Sequence, residues 1–356
     1  MPLPSPLLGR PGAVEGSGAD AGVAAHYGDP LPEQRRLESG RAVADLSHRG
    51  VVTVTGPDRL SWLNSLSTQL LLGLAPGEST EALFLNVQGR IEHDCRVVDD
   101  GTTTWLLVEG FEAAPLAAWL DSMRFMLRVE VADASADWDV IGAAAEIPQL
   151  AGRTVWRDPW PGVVPGGYSY SGAEHPAAGR VWFEYLVPAA ELEAAVEGLP
   201  LAGTMAVEAL RIAAWRPRLG LETDDKAIPH ELDLLRTAVH LTKGCYKGQE
   251  TVARVHNLGH PPRRLVFLHL DGSLHTLPAA GSDVVLGEKT VGRITSAALH
   301  HEAGPIALAI IKRNVDPAAA LVVVDGEERY AAAQEAIVAP DAGQVVGRQQ
   351  GFLRHR

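Results

Sequence analysis

Hydrophobic and polar positions change their period several times along the chain, and each change marks an element. The run Gly50-Val-Val-Thr-Val-Thr55 predicts a strand. Gly56-Pro57-Asp58 follows, with proline suited to a first helical position, and Leu60, Leu63, Leu66 and Leu70 then recur at helical spacing. That helix should bury one face. Strands are expected over 81–87, 91–98 and 103–108, joined by turns at Gln88-Gly89 and Asp99-Asp100-Gly101. A helix over 112–126 and a strand over 127–131 complete an α+β unit assigned to 33–137.

The pattern over 138–259 is looser. It predicts a strand at 180–187, helices at 189–196 and 204–215, and an irregular Pro/Gly-rich loop at 158–167. Over 260–345, six short apolar runs alternate with Gly/Pro turns, as in a small barrel or sandwich. Residues 1–32 are rich in Pro, Gly and Ala and read as a mobile arm, and 346–356 read as a tail. No internal repeat stands out.

Composition narrows the function classes. With 356 residues, 46% hydrophobic, the chain exceeds what one core serves. A net charge of −13 argues against direct nucleic-acid binding. Two cysteines, Cys95 and Cys245, exclude a disulfide framework and a four-cysteine metal or cluster site within one chain, and they suit a reducing cytoplasm. No secretory signal and no apolar run of membrane-spanning length is expected.

Candidate chemistry gathers in one stretch, Lys243-Gly-Cys-Tyr-Lys-Gly-Gln-Glu250, with Arg254 beyond it. Gly244 and Gly248 bracket Cys245, Tyr246 and Lys247, allowing a tight turn, and Gln249, Glu250 and Arg254 add an amide, a carboxylate and a guanidinium. Between Glu208 and Arg264 there are ten Lys/Arg against seven Asp/Glu, so this segment is expected to be electropositive in an acidic chain. Lys243 and Lys247 would then lower the pKa of the Cys245 thiol. Other candidates read as structure. Cys95 alternates within a strand, and Glu78/Glu81 and Asp99/Asp100 fit hairpin rims. His300-His301 fits a solvated turn. His256 and His260 have metal-ligand spacing only on a helix, which Gly259 and Pro261-Pro262 oppose, so no metal is expected. Trp62 and Trp215 fit a core, and Arg211 and Arg216 a solvated helix face.

The octapeptide with Arg254 resembles the signature of the YgfZ family of folate-binding proteins, relatives of the glycine cleavage T protein. Leu85-Asn86-Val87-Gln88-Gly89-Arg90, with Asp94 four residues on, resembles the asparagine hairpin of that superfamily. The resemblance implies a three-domain ring of two ferredoxin-like α+β domains and a C-terminal β-barrel. It implies tetrahydrofolate or a derivative as cofactor, with Asn86, Asp94, Trp62 and Arg211 as folate-binding candidates. It also implies a role beside iron–sulfur enzymes or assembly proteins, supporting tRNA modification indirectly, with Cys245 as the working thiol. An aminomethyltransferase or methyltransferase is the alternative, and a binding module without a reactive thiol a third reading. The T protein carries paired aspartates where Ile91-Glu92-His93-Asp94 has one, and a glutamate where Ala213 stands, and it lacks the Gly-Cys-Tyr motif.

Overall fold

The computed structural model describes residues 4–172 and 174–346. A two-stranded ribbon, β1 (Val14–Glu15) and β2 (Ala24–His26), leads into helix α1 (Pro30–Glu38) and the short strand β3 (Val43–Asp45). The first sheet comprises β4 (Gly50–Thr55), β5 (Ser79–Leu85), β6 (Ile91–Asp99), β7 (Thr103–Val108) and β8 (Glu130–Asp133). Its order is β5-β6-β7-β4-β8, all antiparallel. Helices α2 (Arg59–Leu66) and α3 (Ala113–Met123) cover one face, burying Trp62, Leu63, Leu116 and Leu120 against Val52, Val54, Phe84 and Val97. Cys95 lies in that core, where burial pushes its thiol well above the usual range.

The second sheet takes β9 (Trp138–Ala143), β10 (Val155–Arg157), β11 (Phe183–Pro188) and β12 (Leu201–Ala202). Helices α4 (Leu192–Ala195) and α5 (Thr204–Ala213) flank β12 in the chain. The order β10-β11-β9-β3-β12 includes a strand from far upstream, because β3 pairs antiparallel with β9 and parallel with β12. The expected boundary near 137 is thus crossed, and the two sheet units are interleaved.

Helix α6 (Gln249–Leu258) precedes the barrel strands β13 (Arg263–Leu270), β14 (Asp283–Leu286), β15 (Lys289–His300), β16 (Gly304–Lys312), β17 (Leu321–Asp325) and β18 (Glu328–Ala336). They close in the order β13-β16-β15-β14-β17-β18, leaving no free edge. Val266, Leu268, Ile294, Ala309 and Val323 fill one cluster, while Leu265, Phe267, Leu308 and Ile310 pack outward on Trp215, Tyr246 and Val252. Burial on both faces explains the unbroken apolar runs in β13 and β16.

The expected mobile arm is corrected over residues 4–32. Leu7 and Val23 are fully buried, Ser5 N–H donates to Gly22 O at 2.8 Å, and Asp20 pairs with Arg218 at 2.8 Å. Few large side chains suffice, because this segment covers a core built by others: Leu7 sits with Ile141, Leu150, Val187 and Leu192. Residues 1–3 and the tail from 347 lie outside the described residues.

His230 ties the loop before the barrel to α6. It is fully buried, and one ring nitrogen, Nε2, donates to Val252 O at 3.0 Å while Nδ1 has no partner. Burial holds its pKa down to about 3. A histidine depressed in this way stabilises the fold above its unfolded pKa, and that stability drains away as pH falls toward the folded value. Between pH 7 and 5 the wild type should therefore lose about 2 kcal/mol that His230→Gln does not lose. Urea unfolding at the two pH values checks this, and equal losses in both chains would contradict it.

Candidate functional site

The segment from Lys243 to Glu250 forms an anchored loop that presents Cys245 to solvent. Lys243 and Tyr246 are its buried anchors, and Cys245 between them is exposed. The Lys243 ammonium donates to three carbonyls, Asn64 O and Ser67 O at 2.6 Å and Gln69 O at 2.7 Å. These lie at the C-terminal end of α2, where unpaired carbonyls attract a cation. Burial pulls the Lys243 pKa down to about 8, and the three acceptors hold the proton on. Lys247 pairs with Glu92 at 3.3 Å and lies over the Trp119 ring at 5.8 Å. Both lysines expected to activate the thiol are therefore engaged elsewhere. Gln249 Nε2 donates back to Lys243 O at 3.5 Å, and Glu250 and Arg254 stand exposed on the first turns of α6.

The two sequence motifs meet through glycines. Gly248 (φ +85°) and Gly89 (φ +76°) both occupy the left-handed region. A Cβ on Gly248 would stand 2.6 Å from Asn86 O and 2.9 Å from Gly89 Cα, so the motif loop seats directly on the β5–β6 turn. Asn86 Oδ1 accepts from the N–H groups of Gln88 and Arg90 at 2.9 and 3.1 Å, spending its side-chain oxygen on holding that turn.

Behind the turn lies a buried cluster of charges. Arg216 Nη2 approaches Glu81 Oε1 at 2.6 Å and Asp158 Oδ1 at 3.6 Å. Thr237 Oγ1 donates to the other Glu81 oxygen. Arg180 reaches Asp158 at 3.9 Å, and Arg96 reaches Glu184 at 3.3 Å. Each guanidinium lies over an indole: Arg96 on Trp156 at 5.6 Å, Arg216 on Trp160 at 4.8 Å and Arg180 on Trp182 at 5.4 Å. Burial and neighbouring Glu81 push the Asp94 carboxyl well above the ordinary carboxylate range, and its Oδ1 has no hydrogen-bond partner. Glu81 Oε1, Glu184 Oε2 and Arg216 Nη1 are likewise buried without a hydrogen bond of good geometry. Trp215 helps to aim Arg216: it adopts φ +58° at the C-terminus of α5, where Arg216 N–H donates to Arg211 O at 3.1 Å. That backbone costs a residue with a side chain about 1–2 kcal/mol.

Several expected site residues lie elsewhere. Trp62 belongs to the core beneath the first sheet. Arg211 spends all five N–H donors on Glu208, Glu222, Ser296 Oγ and Arg216 O, leaving none for a ligand. The electropositive segment is not a surface patch, because Arg211, Arg216, Arg218 and Arg236 are buried and ion-paired. Glu81 and Asp99 are buried partners of arginines rather than hairpin rims. His256 does lie on a helix, but its Nδ1 meets Tyr170 OH at 2.8 Å while His260 Nδ1 donates to Ala342 O at 2.7 Å. His300-His301 is no solvated turn: His301 Nε2 meets Glu38 at 2.7 Å, and His300 is buried. Those three side chains bring metal-capable atoms within 4.8 Å of one another. However, His300 Nδ1 accepts two backbone N–H groups, which places its proton on Nε2 and leaves two ligands. Among the described residues no helix is long and apolar enough to cross a membrane. The Arg/Trp pairs had one sequence signal, the tryptophans at 156, 160 and 182 in a chain only 6% aromatic.

Residues 28–144 match the model of the GCVT N-terminal domain. An aminomethyltransferase of Streptomyces avermitilis is 26% identical over 80% of this chain and 82% of its own length. The iron–sulfur cluster assembly factor IBA57 homolog of Chaetomium globosum, a mitochondrial protein, is 27% identical over 73% of this chain and 66% of its own. The crystal structure of the glycine cleavage aminomethyltransferase T of Bartonella henselae superposes with a TM-score of 0.73, covering 93% of this chain and 95% of that one at 17% identity. The expected T-protein-like fold with its C-terminal barrel is therefore present, and residues 28–144 of the chain carry the likeness to the GCVT N-terminal domain.

Proposed function

We propose that the chain is a tetrahydrofolate-binding accessory protein of iron–sulfur cluster assembly or repair, YgfZ-like, acting in the cytoplasm beside iron–sulfur enzymes and supporting tRNA modification indirectly. The observation that carries this reading is Cys245, exposed on a loop pinned at Lys243 and Tyr246 and seated on the Asn86 turn. A thiol meant only to fill a core would lie inside, as Cys95 does. The relatives named as iron–sulfur cluster assembly factors support it. With two cysteines, a cluster would be shared with a partner rather than held by this chain alone. Asp94 fits a reduced folate: an unpartnered buried carboxyl oxygen complements a ring N–H donor beside the turn that Asn86 Oδ1 holds.

Cys245→Ala is expected to fold with unchanged stability and to lose support of iron–sulfur enzymes in complemented cells down to the level of the empty vector. Normal enzyme activity with that variant would overturn the reading. The aminomethyltransferase reading draws on Asp94 and on the relatives of that name. It predicts turnover of methylenetetrahydrofolate with an aminomethyl carrier that disappears in Asp94→Asn.

A further inference from the structure

A cavity of about 460 Å³ opens between the N-terminal ribbon, the first half of α5 and barrel strand β15. It shares no residue with the charge cluster around Asp94 and Arg216. Three carboxylates line it, Glu15, Asp20 and Glu208, and among the described residues no lysine, arginine or histidine does. Gln34 holds the one side-chain nitrogen on the wall, and its Nε2 donates to Leu299 O at 2.9 Å. Met205, Leu277 and Leu299 add an apolar side, and all three are exposed.

Behind the wall the charges do not balance. Arg49, Arg211 and Arg218 form one connected set of ion pairs with Asp20, Glu109, Glu208 and Glu222, so three guanidinium groups face four carboxylates. His48 approaches Asp20 at 3.4 Å but brings no charge, since burial and Arg49 hold its pKa well down. Burial opposes the charge on Glu208, yet Arg211 and Arg218 keep its carboxyl below the ordinary range. One negative charge is left over, and Glu15 at the mouth adds another. An inward charge without a partner is costly. An independent observation points the same way. Thr204, in the first turn of α5, is only 3% exposed, and its hydroxyl opens on the cavity with no hydrogen-bond partner among the described residues.

We propose that this cavity binds a primary ammonium carried on an apolar body, the ammonium held by Asp20, Glu208 and Thr204 and the body lying against Met205, Leu277 and Leu299. An ammonium brings three donors and no acceptor, which suits a wall of carboxylate and hydroxyl oxygens. A carboxylate or phosphate would meet like charges there. A guanidinium fork would need a carboxylate edge, and Arg211 already takes both oxygens of Glu208. The site lies outside the folate reading and does not depend on it.

Calorimetry with three probes that share one body tests this. Phenethylamine, phenethyl alcohol and phenylpropionate are titrated into the wild type, Thr204→Val and Met205→Lys, each first shown to unfold cooperatively. The amine should bind the wild type roughly tenfold or more tighter than the alcohol, as charge-assisted hydrogen bonds require, and phenylpropionate should not bind. Thr204→Val should weaken the amine roughly threefold to tenfold through the lost acceptor. Met205→Lys brings a cation to an exposed position on the wall, so it should weaken the amine roughly tenfold and leave the alcohol within about twofold. Equal binding of amine and alcohol, or an amine affinity that neither variant changes, overturns the ammonium site. Binding of phenylpropionate, or no heat with the amine at millimolar concentration, overturns it as well.

Discussion

Replacing Arg216 by methionine is expected to cost about 3–5 kcal/mol of folding free energy, because it strands the Glu81 carboxylate in the interior. Glu81 is completely buried, and its cationic partner is Arg216 at 2.6 Å. The Thr237 hydroxyl alone would remain on the other oxygen. Arg216 also covers the Trp160 ring at 4.8 Å, so packing is lost as well as charge. The double variant Arg216→Met, Glu81→Leu removes both desolvated charges and should recover most of the loss. Denaturant unfolding of the four chains tests this as a cycle. A loss below about 1 kcal/mol for the single variant would mean that the pair is solvated or unformed.

Gly248→Val should cost about 2–4 kcal/mol and disable the Cys245 loop, whereas Gly244→Ala should change stability by less than about 0.5 kcal/mol. The two glycines flank the same motif and look equivalent in the sequence. A Cβ on Gly248 would collide with Asn86 O and Gly89 Cα and would be forced to φ +85°, whereas a Cβ on Gly244 meets nothing within 4 Å. Thermal unfolding reads the stability. The rate of Cys245 alkylation reads the loop, and it should change in the Gly248 variant and stay constant in the Gly244 variant. Similar behaviour of the two variants would show that the loop does not rest on the turn.

Local periodicity carries the barrel and the first sheet well. β13, β14, β16 and β17 fall within two residues of the apolar runs at 265–270, 283–286, 306–311 and 321–324, because each strand's apolar pattern is set by its own burial. Elements defined by distant partners were not legible. β3 is three residues long and exists because β9 and β12 flank it. Lys243 looks like an activator of its neighbour Cys245, yet its ligands are carbonyls about 180 residues upstream. Arg216 and Glu81 read as surface charges for the same reason: each is tolerable inside only because the fold brings the other. The arm reads as mobile in the sequence because its few apolar residues complete a core made by later segments.

The position of β3 has a consequence for synthesis. Its three residues leave the ribosome about 90 residues before β9 and about 155 before β12, the two strands that pair with it. At roughly 5–20 residues per second, the nascent chain carries an unpaired apolar edge for some 5–20 s before the first partner emerges. The second sheet thus cannot form in step with translation, and a nascent-chain chaperone has its opening there, while the first sheet is already complete.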